Sequence, residues 1–125
     1  MRNTSDWSVV WQELRDNLVK QPPCPHHPEY PRVSTLALQV INDIIEILES
    51  GIRVRSHRTL HKDFIKTRIF EIWWNHLVAN KSASLCPGHR NNPVALRSSI
   101  VGAIIAKCLP DRIRVVNSNT IELVQ

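Results

Sequence analysis

Glycine is scarce in this chain, with three residues in 125. That scarcity excludes the glycine-rich loops that cradle nucleotide phosphates. No Gly-x-x-x-x-Gly-Lys-Ser/Thr, Gly-x-Ser-x-Gly or His-Glu-x-x-His pattern occurs. A His-x-Glu coupled to Pro-Cys-x-x-Cys is also missing, so a zinc deaminase is not supported. No apolar run approaches the roughly 20 residues that a bilayer-spanning helix needs. The start, "MRNTSDWSVVWQEL", has no signal-peptide pattern. These absences predict a soluble intracellular protein, cytoplasmic or nuclear, without a membrane partner. The three cysteines are an odd and small number, which argues against a disulfide framework. In a reducing compartment they stay thiols, with metal ligation or burial as their roles.

What is present suffices for one domain, 1–125, with a modest core: 42% of the residues are apolar and charge of both signs is mixed in. The net charge of +5 conceals an asymmetry. Residues 1–51 carry four basic side chains against seven acidic ones, whereas residues 52–114 carry twelve against Asp63, Glu71 and Asp111. Such a basic block seeks phosphates or acidic surfaces.

Periodicity divides the chain into four predicted helices and a hairpin. In the first segment, 1–20, Trp7, Val10, Trp11, Leu14 and Leu18 share one helical face. Thr4 or Ser5 is the expected N-cap, and Asp6 suits the positive helix end. The five prolines of "QPPCPHHPEYP" then forbid regular structure over 21–32. From Val33 to Ser50, Val33, Leu36, Ala37, Val40, Ile41, Ile44, Ile45, Ile47 and Leu48 form a wide apolar face, opposite Gln39, Asn42, Asp43, Glu46 and Glu49, that predicts a second helix, stopped by Gly51.

A third helix is predicted from about Ser56 to Asn80. Arg58, Lys62 and Lys66 would recur on one face as a basic ridge, and Ile69–Val78 would be apolar all round. Asn92 as cap with Pro93 at the first position predicts a fourth helix to Leu109, completing a helical core over 33–109. "RIRVVNSNTIELV" reads as a β-hairpin with an Asn-rich turn, within 110–125. The expected fold class is therefore mainly α: four helices with a short C-terminal β-hairpin, zinc-stabilised. By architectural analogy it admits a winged-helix-like arrangement, with the fourth helix as recognition element.

Two short stretches rhyme. "CPHH" at Cys24–His27 and "CPGH" at Cys86–His89 are both Cys-Pro-x-His in polar, proline-containing segments. Cys and His three residues apart around a tight turn can point at one ion, and two such loops would give a tetrahedral Cys2His2 set. The expected ligands of a structural Zn2+ are Cys24, His27, Cys86 and His89, with His26 as the alternative to His27. Cys108 falls on the apolar side of the fourth predicted helix and reads as a buried thiol.

Arg55, His57, Arg58 and His61 form a basic cluster with a weak ribonuclease-like spacing. Pairs of this kind are common in basic segments, so no catalytic residue is assigned and no enzyme is expected. The functional expectation is nucleic-acid binding, to DNA or RNA, mainly through phosphates. Candidate contacts are Arg53, Arg55, Arg58, Lys62, Lys66, Arg68, Arg97, Arg112 and Arg114. The alternative is a zinc-stabilised adaptor that binds another protein or a second copy of itself. It would use the Trp-rich segments and the small-residue face of the fourth helix, Ser98, Ser99, Gly102, Ala103 and Ala106.

Overall fold

The computed structural model describes residues 6–124, and in it the first apolar stripe forms helix α1, Trp7–Val19. Val10, Trp11, Leu14 and Leu18 are buried as the spacing demands. Asp6 stands at the N-cap; the Thr4 and Ser5 caps expected from the sequence lie outside the described residues. Two side chains tie α1 to distant segments. The Trp11 indole donates to the Glu49 carbonyl at 2.9 Å, and the Asn17 amide donates to the Cys108 carbonyl at 2.7 Å.

The expectation of a mainly α chain is overturned by the next segment. Among the described residues there are three helices and seven strands, an α+β fold with two antiparallel sheets. Strands β1 (Arg32–Ser34), β2 (Ile41–Leu48), β3 (Gly51–Ser56) and β4 (Lys62–Lys66) form the first sheet in chain order. The helix predicted over 33–50 is thus the end of β1, a turn and β2, and a bulge explains why the β2 part read as helix. Ile44 faces Val54, Glu46 faces Arg53, and Ile47 faces Ile52, so Ile45 is an inserted residue in β2. The insertion puts Ile44 and Ile47 on the same face at a spacing of three, which a sequence reader takes for helical. The β-branched isoleucines fit the pleated surface better than a helix interior.

The predicted third helix divides likewise. Its first half is the end of β3, a turn and β4; only Thr67–Asn80 is helix, α2. Arg58, Lys62 and Lys66 are therefore not a helical ridge but a turn residue and the two ends of β4. Phe70, Trp73, Trp74 and Leu77 are buried on α2.

Strand β5 (Ser82–Ser84) follows, then helix α3 (Ser98–Cys108), then β6 (Ile113–Asn117) and β7 (Thr120–Leu123). The second sheet has the order β5-β7-β6. The expected hairpin is present as β6–β7, and the Asn117 side chain accepts from the Asn119 amide across its turn. Helix α3 starts five residues later than Pro93. Arg97 adopts a left-handed conformation before it, and the Asn92 amide is spent on the Ser84 carbonyl.

Every α3 residue except Ser99 and Lys107 is buried. A helix so enclosed cannot enter a nucleic-acid groove, which removes the recognition-helix arrangement. Of the small residues on this helix, Ser98, Gly102, Ala103 and Ala106 are inside and Ser99 is exposed; Trp11, Trp73 and Trp74 are inside as well, so these buried side chains belong to the core. Cys108 is fully buried, and burial pushes its thiol up to about 12. None of the helices among the described residues is long and apolar enough to cross a membrane.

Gly51 of β3 pairs with Lys66 of β4 and leaves no room for a side chain. A Cβ there would lie 2.4 Å from the Ile65 carbonyl oxygen and 2.7 Å from the Phe64 ring. Because the nearer neighbour is backbone in a paired strand, it cannot swing away. Gly51→Ala is expected to cost about 1–3 kcal/mol from overpacking, read as a lower urea midpoint at unchanged slope.

Candidate metal centre

The proline-rich loop closes on itself before β1 begins. The Cys24 amide donates to the Tyr30 carbonyl at 2.9 Å, the Arg32 amide donates to the Pro22 carbonyl at 2.8 Å, and Pro23 bridges Pro31. The Ile44 amide donates to the Pro31 carbonyl at 2.8 Å, which seats the loop on β2. Backbone donors that proline cannot supply thus come from the residues around it. The consequence is that Cys24 lies over the sheet beside Asp43, with 1% and 0% of their surfaces exposed.

Sheet register supplies the other partners. Arg32 on β1, Asp43 on β2, Arg55 on β3 and Lys62 on β4 stand in one cross-strand row. Arg55 grips one Asp43 oxygen, Oδ2, through Nε at 3.0 Å and Nη2 at 2.7 Å. The other oxygen, Oδ1, lies 2.8 Å from His57 Nε2, and Cys24 Sγ lies 3.4 Å from the same nitrogen. His57 is two residues beyond Arg55, where its amide donates to the Ile41 carbonyl and holds the turn against β2.

Burial alone would raise the Asp43 pKa. Hydrogen bonds from Cys24, Arg55 and His57, with the charge of His57, outweigh it and hold the carboxyl below its usual value of 3.8. Asp43 is thus a carboxylate that stays ionised although buried.

Cys24 Sγ, Asp43 Oδ1 and His57 Nε2 meet at one point, every pair within 4.8 Å; this is a group that could hold a metal ion. Ligands at 2.0–2.3 Å around a tetrahedral ion sit roughly 3.3–3.6 Å from one another. The sulfur–nitrogen separation of 3.4 Å already matches, and the nitrogen–oxygen separation of 2.8 Å has only to open slightly. The same geometry disfavours a Cys-His-Asp catalytic relay. A relay uses the two ring nitrogens separately, one toward the acid and one toward the nucleophile. Here thiol and carboxylate both address Nε2.

Of the four expected ligands, Cys24 is in this group. His26 and His27 flank it, with ring centroids 6.0 and 6.4 Å from that of His57. Cys86 and His89 are not brought into it. Their loop makes its own tight turn, the His89 amide donating to the Cys86 carbonyl at 3.1 Å and His89 Nδ1 accepting from the Asn91 amide. Cys86 borders a separate groove with Arg58, Arg97 and Ser98.

Sequence reasoning missed Asp43, which lay within the predicted second helix. It noticed His57 only as part of a basic cluster. The signal that would have found both is the strict alternation of Ile52, Arg53, Val54 and Arg55, which marks a strand able to pair with β2.

The candidate cations sort by partner. Arg53 pairs with Glu46 at 3.2 Å and Arg112 with Glu13 at 3.0 Å, while Arg97 pairs with Asp63 and Arg114 with Glu122. Arg55 is held by Asp43. Arg58, Lys62, Lys66 and Arg68 are exposed and make no ion pair among the described residues. Lys62 and Lys66 share one face of the edge strand β4 with Phe64 between them, and the Arg53 guanidinium lies 5.1 Å from that ring's centroid. No protein-family model matches this chain, and no curated protein or solved structure is significantly similar to it.

Proposed function

We propose that this protein binds one Zn2+ through Cys24, Asp43 and His57, and uses the cationic sheet face beside it to grip the phosphates of a nucleic acid. The convergence of three unlike donor atoms on one point carries the reading. Thiolate, imidazole and carboxylate together suit a borderline-soft ion that is indifferent to geometry, which describes zinc better than magnesium or calcium. Arg55 holds the second oxygen of Asp43 and so orients the carboxylate, the kind of outer contact that fixes a metal ligand. The ion would join the proline-rich loop to β2 and to the turn that follows β3. Its binding energy would add to folding.

The nucleic-acid half of the reading rests on charge and placement. Arg58 lies in the turn before the edge strand β4, Lys62 and Lys66 at its two ends and Arg68 in the first turn of α2, and none of the four pairs with a carboxylate among the described residues. Phosphate contacts of this sort give affinity without reading bases.

Elemental analysis of purified variants tests the metal. The wild type and Cys86→Ser are expected to hold one zinc per chain, and Cys24→Ser and His57→Ala to hold little. Equal loss in Cys86→Ser would instead require both Cys-Pro-x-His loops to share the ion. Zinc-free wild type after growth in added zinc would end the reading.

A further inference from the structure

The side of the metal group that meets solvent is the His57 side. His57 has 22% of its side chain exposed, while Asp43 has none. A cleft of about 540 Å³ opens there, lined by His26, His27, Arg55, His57, Leu60 and Lys62. Two of these are permanent cations, three are imidazoles, and none is a carboxylate. The one carboxylate underneath, Asp43, is buried and already neutralised by Arg55.

We infer that this cleft is a phosphoryl-binding seat, in which a phosphate oxygen takes the fourth position on the zinc and the remaining oxygens bond to Arg55 and Lys62. The inference rests on the zinc reading above and extends it, since it makes the centre an open one. Three protein ligands leave a tetrahedral ion one position for water or an anion, whereas a closed structural site needs a fourth side chain.

The donors are in place for it. Arg55 spends Nε and one Nη2 hydrogen on Asp43, which leaves three of its five N–H groups for another acceptor. Lys62 is the direct cross-strand neighbour of Arg55, so their side chains leave the same face about 5 Å apart. An oxyanion between them receives one donor from each side. A guanidinium already fixed by a buried carboxylate and packed 5.9 Å over the Tyr30 ring loses little freedom on binding. His26 and His27 stand at the rim, close enough to His57 to bond to a bound anion.

Lys62 also belongs to the cationic row of β4, so the seat is continuous with the surface proposed to follow a nucleic-acid backbone. The phosphoryl group therefore comes from one of two sources with the same chemistry: a free phosphate, or a phosphate of the nucleic acid itself.

Cobalt substitution reads both levels separately. Co2+ added to the metal-free protein should give a thiolate charge-transfer band from Cys24 and a tetrahedral ligand-field spectrum. Absence of the thiolate band would sink the zinc reading and the seat together. With the band present, inorganic phosphate is expected to shift the ligand-field bands saturably, and Lys62→Ala to weaken that response roughly ten-fold while keeping the thiolate band. A spectrum unmoved by phosphate, or a Lys62→Ala response equal to wild type, overturns the seat and leaves the metal site standing. A 5′-phosphorylated oligonucleotide and its unphosphorylated twin then name the source. A shift with the phosphorylated strand alone supports an end phosphate, equal shifts support internal phosphodiesters, and a response to inorganic phosphate alone supports a free-phosphate seat.

Discussion

Asp43→Ala is expected to lower the stability of the metal-free protein at neutral pH by about 3 kcal/mol, as for a buried ion pair that loses one partner. The carboxylate is wholly buried, takes two hydrogen bonds from Arg55 on one oxygen and one from His57 on the other, and is approached by Cys24. Its removal leaves a guanidinium and an imidazole facing an empty pocket, with only about a fifth of each side chain in water. The cost is mostly the desolvation of those orphaned donors rather than the worth of the pair.

Glu46→Ala supplies the control. It breaks the Arg53 pair one step along the same strands, but both partners there are more than two-fifths exposed. Such a pair contributes about 0–1 kcal/mol. Urea unfolding in the presence of a chelator should therefore separate the two variants widely, and similar midpoints would mean that the Asp43 cluster is not held as described.

The pH dependence carries a sign. The folded pKa of Asp43 is depressed, so its contribution is present above the unfolded value near 3.8 and is lost as pH falls through the lower folded value. The wild-type and Asp43→Ala stabilities should converge at the acid end, and the gap should be full at neutral pH.

How much of this was legible in the sequence depends on the range over which each pattern acts. Helix α1 was legible because Val10, Trp11, Leu14 and Leu18 keep their spacing with no interruption. The β6–β7 hairpin was legible because its two runs flank a turn rich in asparagine. Both depend on neighbours along the chain. Strand β2 was not legible because the inserted Ile45 shifts the alternation by one, so that two residues facing the core stand three apart.

That single misassignment also hid the candidate metal-binding group. With β2 taken as helix, Asp43 had no cross-strand partner, although strand pairing sets it opposite Arg55 and beside His57. The Cys-Pro-x-His rhyme drew the eye to Cys24 as a candidate donor, and the side chains that gather around it come from β2 and the turn after β3, not from the second loop. Donors separated by 14 and 33 residues leave no local spacing to recognise. Their meeting is a property of register.

Charge reversal at Arg58, Lys62 and Lys66 together should weaken nucleic-acid binding by roughly a hundredfold or more at low salt, and should flatten the salt dependence by about three units of log–log slope. Each phosphate contact releases about 0.9 of a counterion from duplex nucleic acid, so three lost contacts set that scale. These three are chosen because they carry no carboxylate partner among the described residues. Arg114, whose charge is already balanced by Glu122 on the neighbouring strand, is the contrast. Arg114→Glu should change affinity far less than any one of the three. The triple variant should fold, since none of the three residues is buried or engaged in a tertiary ion pair. Circular dichroism and zinc content can confirm this before binding is measured. Unchanged affinity in the folded triple variant, or a wild-type affinity that does not fall with salt, would remove nucleic acid as the partner. The zinc proposal would stand apart from that result, because Cys24, Asp43 and His57 lie in the proline-rich loop, β2 and the turn after β3 and not on the edge strand.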